Sequence, residues 1–207
     1  MLAAKLVPKY RYENCVVVAL DDGGVMVGAQ IAMQLHCIIT LMVMEEINLP
    51  REDKAIAGMA AGGKFTYNQD YYSGEIEEFV GEYRSYIDEE RVKKFHELNR
   101  LFGSTGLISP AMFRNHNIIL VSDGLQEPIK LDLASELLKP INIEKLIVAT
   151  PFADVPSIDK IHIMADEVYC LSVIDEPMET NHYYEKNDLP SHQTIIKTIE
   201  DIILKWR

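Results

Sequence analysis

Basic residues are scarce. The 207-residue chain carries 20 Lys+Arg against 32 Asp+Glu, a formal net charge of −12. That deficit excludes a phosphate-backbone binder, which needs a Lys/Arg surplus, so no nucleic-acid partner is expected. Long apolar runs are also missing. No stretch reaches the roughly 18 apolar residues of a spanning helix, and the run Cys37–Met44 is too short. The first ten residues hold Lys5 and Lys9 but lack the apolar core and cleavage site of a secretory leader. A cytoplasmic location without membrane contact is the expectation. Cysteine is sparse: Cys15, Cys37 and Cys170 are far apart, odd in number and without a CxxC pair. They read as small buried hydrophobes in a reducing compartment. Repeats, low-complexity stretches and clear linkers are absent. With 48% hydrophobic residues, one folded domain over residues 1–207 is expected.

What is present alternates between strand and helix. Cys15–Leu20 is a β-branched run that ends in Asp21-Asp22-Gly23-Gly24, a buried strand followed by a tight turn. Val25–Leu35 reads as a helix and Cys37–Met44 as a second buried strand. Ala55–Met59 and Lys64–Tyr67 flank Ala60-Ala61-Gly62-Gly63 as a hairpin flap. Glu75–Leu101 is a long helix with an apolar face of Ile76, Phe79, Val80, Tyr83, Tyr86, Ile87, Val92, Phe95, Leu98 and Leu101, stopped by Gly103. Asn117–Val121 is a third strand, ended by Ser122-Asp123-Gly124, and a helix runs from about Pro128 to Leu138. Lys145–Ala149 and Glu167–Val173 are further strands around a helix near Ser157–Met164. Thr194–Arg207 is amphipathic through Ile195, Ile199, Ile202, Ile203 and Trp206, and docks on its own domain or on a second copy. The succession predicts an α/β fold with a mainly parallel sheet flanked by helices. Ligands of such sheets bind at the carboxyl ends of the strands, so the turns after the first three strands are where function is sought.

At those turns the chain resembles the type I phosphoribosyltransferase family, in particular a group of bacterial phosphoribosyltransferases. The group's first strand ends in Pro-Arg-Gly-Gly-Val, where this chain has Asp21-Asp22-Gly23-Gly24-Val25. Its second ends in Arg-Lys-Leu-Gly-x-Pro, here Glu45-Glu46-Ile47-Asn48-Leu49-Pro50. The flap Ala-Ile-Gly-Ala-x-Ala-x-Gly-Gly matches Ala55–Gly63. The loop for phosphoribosyl diphosphate (PRPP), Asp-Asp-Gly-x-x-Thr-Gly-x-Thr, corresponds to Ser122-Asp123-Gly124-Leu125-Gln126-Glu127-Pro128-Ile129-Lys130. Ala149-Thr150-Pro151 and Asp166–Leu171 also resemble the group, and the likeness spans about residues 15 to 185. It implies a type I phosphoribosyltransferase-like fold with a flap hairpin and a small hood, and a homodimer.

The departures share one direction. In the family, amides and hydroxyls of the loop cradle the 5′-phosphate at a helix N-terminus. Here Glu127 replaces the first Thr, Pro128 brings no N–H, and Lys130 replaces the last Thr. Asp123 keeps the second acid of the ribose-binding pair and Ser122 replaces the first. The family's Arg of the first turn is Asp22, and its Arg-Lys pair is Glu45-Glu46. Losing one charge-assisted hydrogen bond costs about 1.5–3 kcal/mol. A carboxylate about 5 Å from a phosphate adds on the order of 3 kcal/mol at an effective dielectric near 20. Together these remove roughly three decades of affinity.

Two readings follow. In the first, PRPP binding is lost and the chain acts as a binding, regulatory or scaffold protein. Its acidic residues Asp21, Asp22, one of Glu45 and Glu46, Asp123 and Glu127 then form an acidic cleft for a cation. That cation is a divalent ion held by Asp22 and Asp123, a polyamine, or a basic segment of a partner. The bland form of this reading is solvated turn carboxylates, with Glu127 serving the free N–H groups at its helix start in place of phosphate. In the second, an active Mg²⁺-dependent transferase moves a phosphoribosyl group to a nitrogenous base, with Asp123 as ribose anchor and Gly23-Gly24 as diphosphate turn. The six histidines show no metal-ligand spacing. Asn181-His182-Tyr183-Tyr184 falls at the family's hood, and Lys64 lies in the flap.

Overall fold

The computed structural model describes residues 1–52, 54–102, 110–186 and 188–205. The elements run α1 (Leu2–Tyr10), β1 (Cys15–Ala19), α2 (Asp22–Leu35), β2 (Ile38–Leu41), β3 (Met44–Asn48), β4 (Ala55–Ala60), β5 (Lys64–Tyr67) and α3 (Ser73–Phe102). They continue with β6 (Asn117–Val121), α4 (Pro128–Leu138), β7 (Lys145–Asp154), α5 (Val155–Met164), β8 (Glu167–Ile174) and α6 (His192–Lys205). The chain divides into two compact units, one of Met1–Met42, Ile108–Gln126 and Ile141–Arg207, the other of Val43–Leu107 and Glu127–Pro140.

The first unit is an α/β layer structure around a five-stranded sheet of order β2-β1-β6-β7-β8. All four pairings are parallel. Parallel strands covered on both faces read as unbroken apolar runs, and the central pair does: every residue of β1 (CVVVA) and β6 (NIILV) is buried. β7 continues past the expected Ala149 to Asp154, paired with β8 as far as Ile174 on one side and with the loop after β6 on the other. Leu125 bridges Ala153 in parallel, with Leu125 N–H donating to Phe152 O at 3.0 Å and Asp154 N–H to Leu125 O at 3.0 Å. Helix α1 is an addition to the elements expected from sequence. It buries Leu2, Ala3, Leu6 and Tyr10 and packs against α2, β7 and β8. Helix α6 packs on α2 and β2, with Ile195 and Ile202 buried.

The second unit holds an antiparallel sheet, β3-β4-β5, with α3 and α4. The expected hairpin is present as β4 and β5, with Gly62 and Gly63 at positive φ (81° and 79°) in the turn, where L side chains are strained. The expected strand Cys37–Met44 is shorter, being β2 at Ile38–Leu41, and the segment after it is not a turn. Met44–Asn48 forms β3, antiparallel to β4. The core joins Ile47, Leu49, Ile56, Ala57 and Ile87, flanked by Ile76, Phe79, Val80 and Tyr83 of α3. That stripe follows the sequence expectation through Ile87, across a break in helical geometry at Tyr83 (φ −109°, ψ 21°). Further along, Val92 is 58% and Phe95 41% exposed, against expectation, while Leu98 is buried. Gly103, Trp206 and the side chains of Leu101 and Ile203 lie outside the described residues. No described helix is long and apolar enough to cross a membrane.

Candidate functional site

The residues singled out from the sequence divide between the two units. In the first, the turn after β1 is not a free loop: Asp22, Gly23 and Gly24 open α2, and Asp21 is its N-cap. Asp21 Oδ1 accepts from Gly24 N–H at 2.6 Å, and its Oδ2 lies 2.9 Å from Ser122 Oγ. The cap thus satisfies one of the free amides that would otherwise bind an anion. Asp22 is held by His192 of α6, whose Nδ1 is 3.0 Å from both carboxylate oxygens. This pairing links the starts of two helices, and His192 Nε2 is buried without a partner. Asp123 packs over Gly23 so closely that a Cβ there would fall 1.8 Å from Asp123 Oδ2.

The loop after β6 is closed by its own chain. Gly124 N–H donates to Ser122 Oγ at 3.3 Å, and Leu125 N–H is taken by Phe152. The Phe152 ring fills the space beside Gly124, where a Cβ would meet its Cζ at 2.3 Å. The segment expected as the hood fastens onto this arrangement. Tyr183 stacks on Phe152 with ring centroids 4.4 Å apart. The Tyr184 hydroxyl donates to Asp123 O, and Gln126 Nε2 donates to Met178 O at 2.9 Å. Burial, and then Asp123 and Asp21, raise the Tyr184 phenol, so it stays a donor. Between α2 and this segment lies a cavity of about 250 Å³ with Met26, Val27, Leu189 and Pro190 as apolar walls. Asp123, Asn181, Tyr184, Lys186 and Asp188 are its polar lining.

In the second unit, Glu45 and Glu46 are strand residues of β3, which corrects their placement in a turn. Alternation sends them to opposite faces, as expected for successive strand positions. Glu45 pairs with Lys94 of α3 at 2.8 Å. Glu46 meets Glu127, and Glu127 pairs with Lys130 at 2.6 Å. Glu127 is the N-cap of α4, but its side chain makes no capping hydrogen bond, so it does not serve the helix amides as expected from sequence. Pro128 and Ile129 follow as the first helical residues, as expected. Lys64 opens β5 and is exposed.

The acidic side chains at these positions therefore have partners within each unit: Asp22 contacts His192, and Glu45 and Glu127 form ion pairs with Lys94 and Lys130. Among the described residues no group of three or more His, Cys, Asp and Glu side chains is placed to hold a metal ion. Cys15 and Cys37 are buried free thiols, pushed by burial up to about 11 and about 12, which suits the packing role expected for them. Sequence reasoning missed His192 and Phe152. Each acts through a partner distant in the chain, 170 residues away for His192, and neither lies in a motif.

No family model matches the chain. Among solved structures, the protein TT1426 from Thermus thermophilus is similar over 99% of this chain and 93% of its own, with TM-score 0.66 and 20% identity. At that identity the likeness is one of fold. A hypoxanthine phosphoribosyltransferase from Staphylococcus aureus superposes with TM-score 0.48 and 17% identity, over 84% of this chain and 70% of its own. A purine phosphoribosyltransferase from Pyrococcus horikoshii does so with TM-score 0.45 and 9% identity, over 84% and 82%. Likenesses as loose as these last two carry no argument. What the chain shares with TT1426 over almost its whole length is an α/β fold, seen here as a parallel five-stranded sheet flanked by helices.

Proposed function

We propose that the chain is a phosphoribosyltransferase-like protein that no longer binds PRPP and acts as a cytoplasmic, homodimeric binding or regulatory protein. The observation that carries this reading is the internal use of three amides in the turns after β1 and β6 of the first unit. Gly24 N–H goes to Asp21, Gly124 N–H to Ser122 and Leu125 N–H to Phe152. An anion site at a helix start needs such amides aimed outward. Opening the loop would mean breaking these bonds and moving Phe152 out from beneath Tyr183.

The Mg²⁺ expected at Asp22 and Asp123 fits these residues poorly. A hard divalent ion takes six or more oxygens, and both oxygens of Asp22 face His192. The cavity instead favours an organic cation: Asp123 and Asp188 outnumber Lys186 among its charged groups, and its walls are apolar. The test is calorimetry with PRPP and Mg²⁺ on the intact protein, beside a melting assay with spermine. No heat is expected from PRPP at millimolar ligand. Spermine at about 100 times its dissociation constant should add about 2.7 kcal/mol of stability. Sub-millimolar, Mg²⁺-dependent PRPP binding would restore the transferase reading. A melting temperature indifferent to spermine would remove the cation.

A further inference from the structure

We propose that the contact between β3 and the start of α4 is a proton-operated latch, in which Glu46 and Glu127 share one proton beside Lys130. Loss of that proton then releases the first turn of α4. The geometry begins at Gly58. A Cβ there would stand 2.6 Å from Leu133 Cδ1 and 3.1 Å from Ile129 Cγ1, so β4 lies directly on α4 at this point. Glu46 is the cross-strand partner of Gly58 and shares its face of the sheet, which aims its carboxyl at the same helix. Glu127 and Lys130 hold the first turn of that helix, 2.6 Å apart.

Glu46 Oε1 is buried and bonds nothing. An ionised Glu46 would leave a charged oxygen out of water beside a second carboxylate, an arrangement strongly disfavoured without a proton between them. With a proton on Glu46, its O–H donates to Glu127, Glu127 stays ionised against Lys130, and the trio is neutral. Burial, then the charge of Glu127, pushes the Glu46 carboxyl up to about 7. Burial also acts to raise Glu127, but Lys130 and the Glu46 hydrogen bond outweigh it and hold Glu127 down. The proton therefore belongs to Glu46.

The other charges around the pair are already engaged. Glu45, on the opposite face of β3, is held by Lys94 of α3, which also meets Glu97. Asp132 of α4 accepts from Gln69 N–H at 3.3 Å. β4 carries no charged side chain, and the only charged residue of β5 is the exposed Lys64. When pH rises through neutrality the Glu46 O–H bond breaks, the proton passes to water, and the trio acquires one net negative charge. The partly buried Glu46 carboxylate then repels that of Glu127 across the contact, and the first turn of α4 gives way because the single charge of Lys130 cannot neutralise both.

Hydrogen exchange on the intact chain, corrected for intrinsic pH dependence, tests this at the amides of Lys130–Leu133. Protection there should fall by at least about tenfold between pH about 5.5 and about 8.5. Glu46→Gln keeps a donor for Glu127 without a titratable group, so its protection should stay flat. Wild-type protection that does not change with pH overturns the latch, as does the same fall persisting in Glu46→Gln. If that variant does not fold, the carboxyl carbon of wild-type Glu46 followed by NMR decides. A midpoint near 7 supports the latch, and an ordinary glutamate midpoint removes it.

Discussion

Gly24→Ala is expected to destabilise the protein by about 3 kcal/mol. A Cβ at this position would lie 2.6 Å from the Val121 carbonyl oxygen, 2.8 Å from Asp21 Oδ1 and 3.1 Å from Ser122 Cα. Two of those atoms are backbone of β6 and its loop, so no rotamer change relieves the clash and the start of α2 must move off the sheet. The N-cap bond from Gly24 N–H to Asp21 is lost with it, about 1 kcal/mol of the total. The atoms nearest a Cβ at Gly23 belong to the Asp123 side chain, not to backbone, so Gly23→Ala should be milder. Gly81→Ala is the control. Nothing lies within 4 Å of a Cβ there, and the site is inside α3. Alanine should stabilise it by about 0.5–1 kcal/mol through helix propensity. Urea denaturation measures all three, as shifts of midpoint at constant slope. A Gly24→Ala protein within about 0.5 kcal/mol of wild type would mean that the cap and the loop do not hold α2 as described.

The sheet was legible because a parallel sheet buried on both faces leaves little choice of residue. CVVVA and NIILV admit no exposed face, and β1 and β6 lie where those runs predict. Helix α4 was legible for a different reason: Pro128 has the fixed φ of a first helical residue, and the helix begins there. Two elements were not. Helix α1 has Pro8 inside it and no acidic residue in its first turn, so it lacks the usual local signals and depends on packing. β3 reads as a turn in the sequence because Glu45-Glu46 looks solvated. Its partners, Lys94 and the Glu127–Lys130 pair, come from helices far along the chain, where local reading does not reach.

The same limit governs the site. Reversal of three cationic positions was visible residue by residue. What the carboxylates do was not, because a carboxylate facing a ligand and one facing an internal partner have the same local sequence. The structure supplies internal partners for Asp22, Glu45 and Glu127. The proposed loss of PRPP binding thus rests less on repulsion than on amides already engaged, a property set by how Phe152 and the loop after β6 pack together. Pairing with β7 beyond Pro151 has no motif to announce it.

Helix α1 is held by two contributions of different size, apolar burial and an ion pair. Leu6 is fully buried, and Leu6→Ala should cost about 3 kcal/mol through lost burial and the cavity left behind. The polar anchor is Glu167 at the start of β8, which pairs with Lys9 of α1 and with Lys145 at 3.3 Å and accepts from Tyr169 at 3.1 Å. Lys9 is half exposed, so Glu167→Gln should cost only about 1 kcal/mol at neutral pH. The two variants also differ with pH. Burial acts to raise the Glu167 carboxyl, but Lys9, Tyr10, Tyr169 and Lys145 hold it down to about 2. A carboxylate depressed in the folded state contributes stability above its unfolded value, and that contribution is lost as pH falls through the folded one. The deficit of Glu167→Gln should therefore be full above about pH 4.5 and vanish towards about pH 2, whereas that of Leu6→Ala should hold its size over the same range. Denaturant unfolding of both variants at several pH values measures this. If the Glu167→Gln deficit exceeds that of Leu6→Ala, the helix is held by charge rather than by the buried leucine; if it does not shrink in acid, Glu167 does not act through its charge.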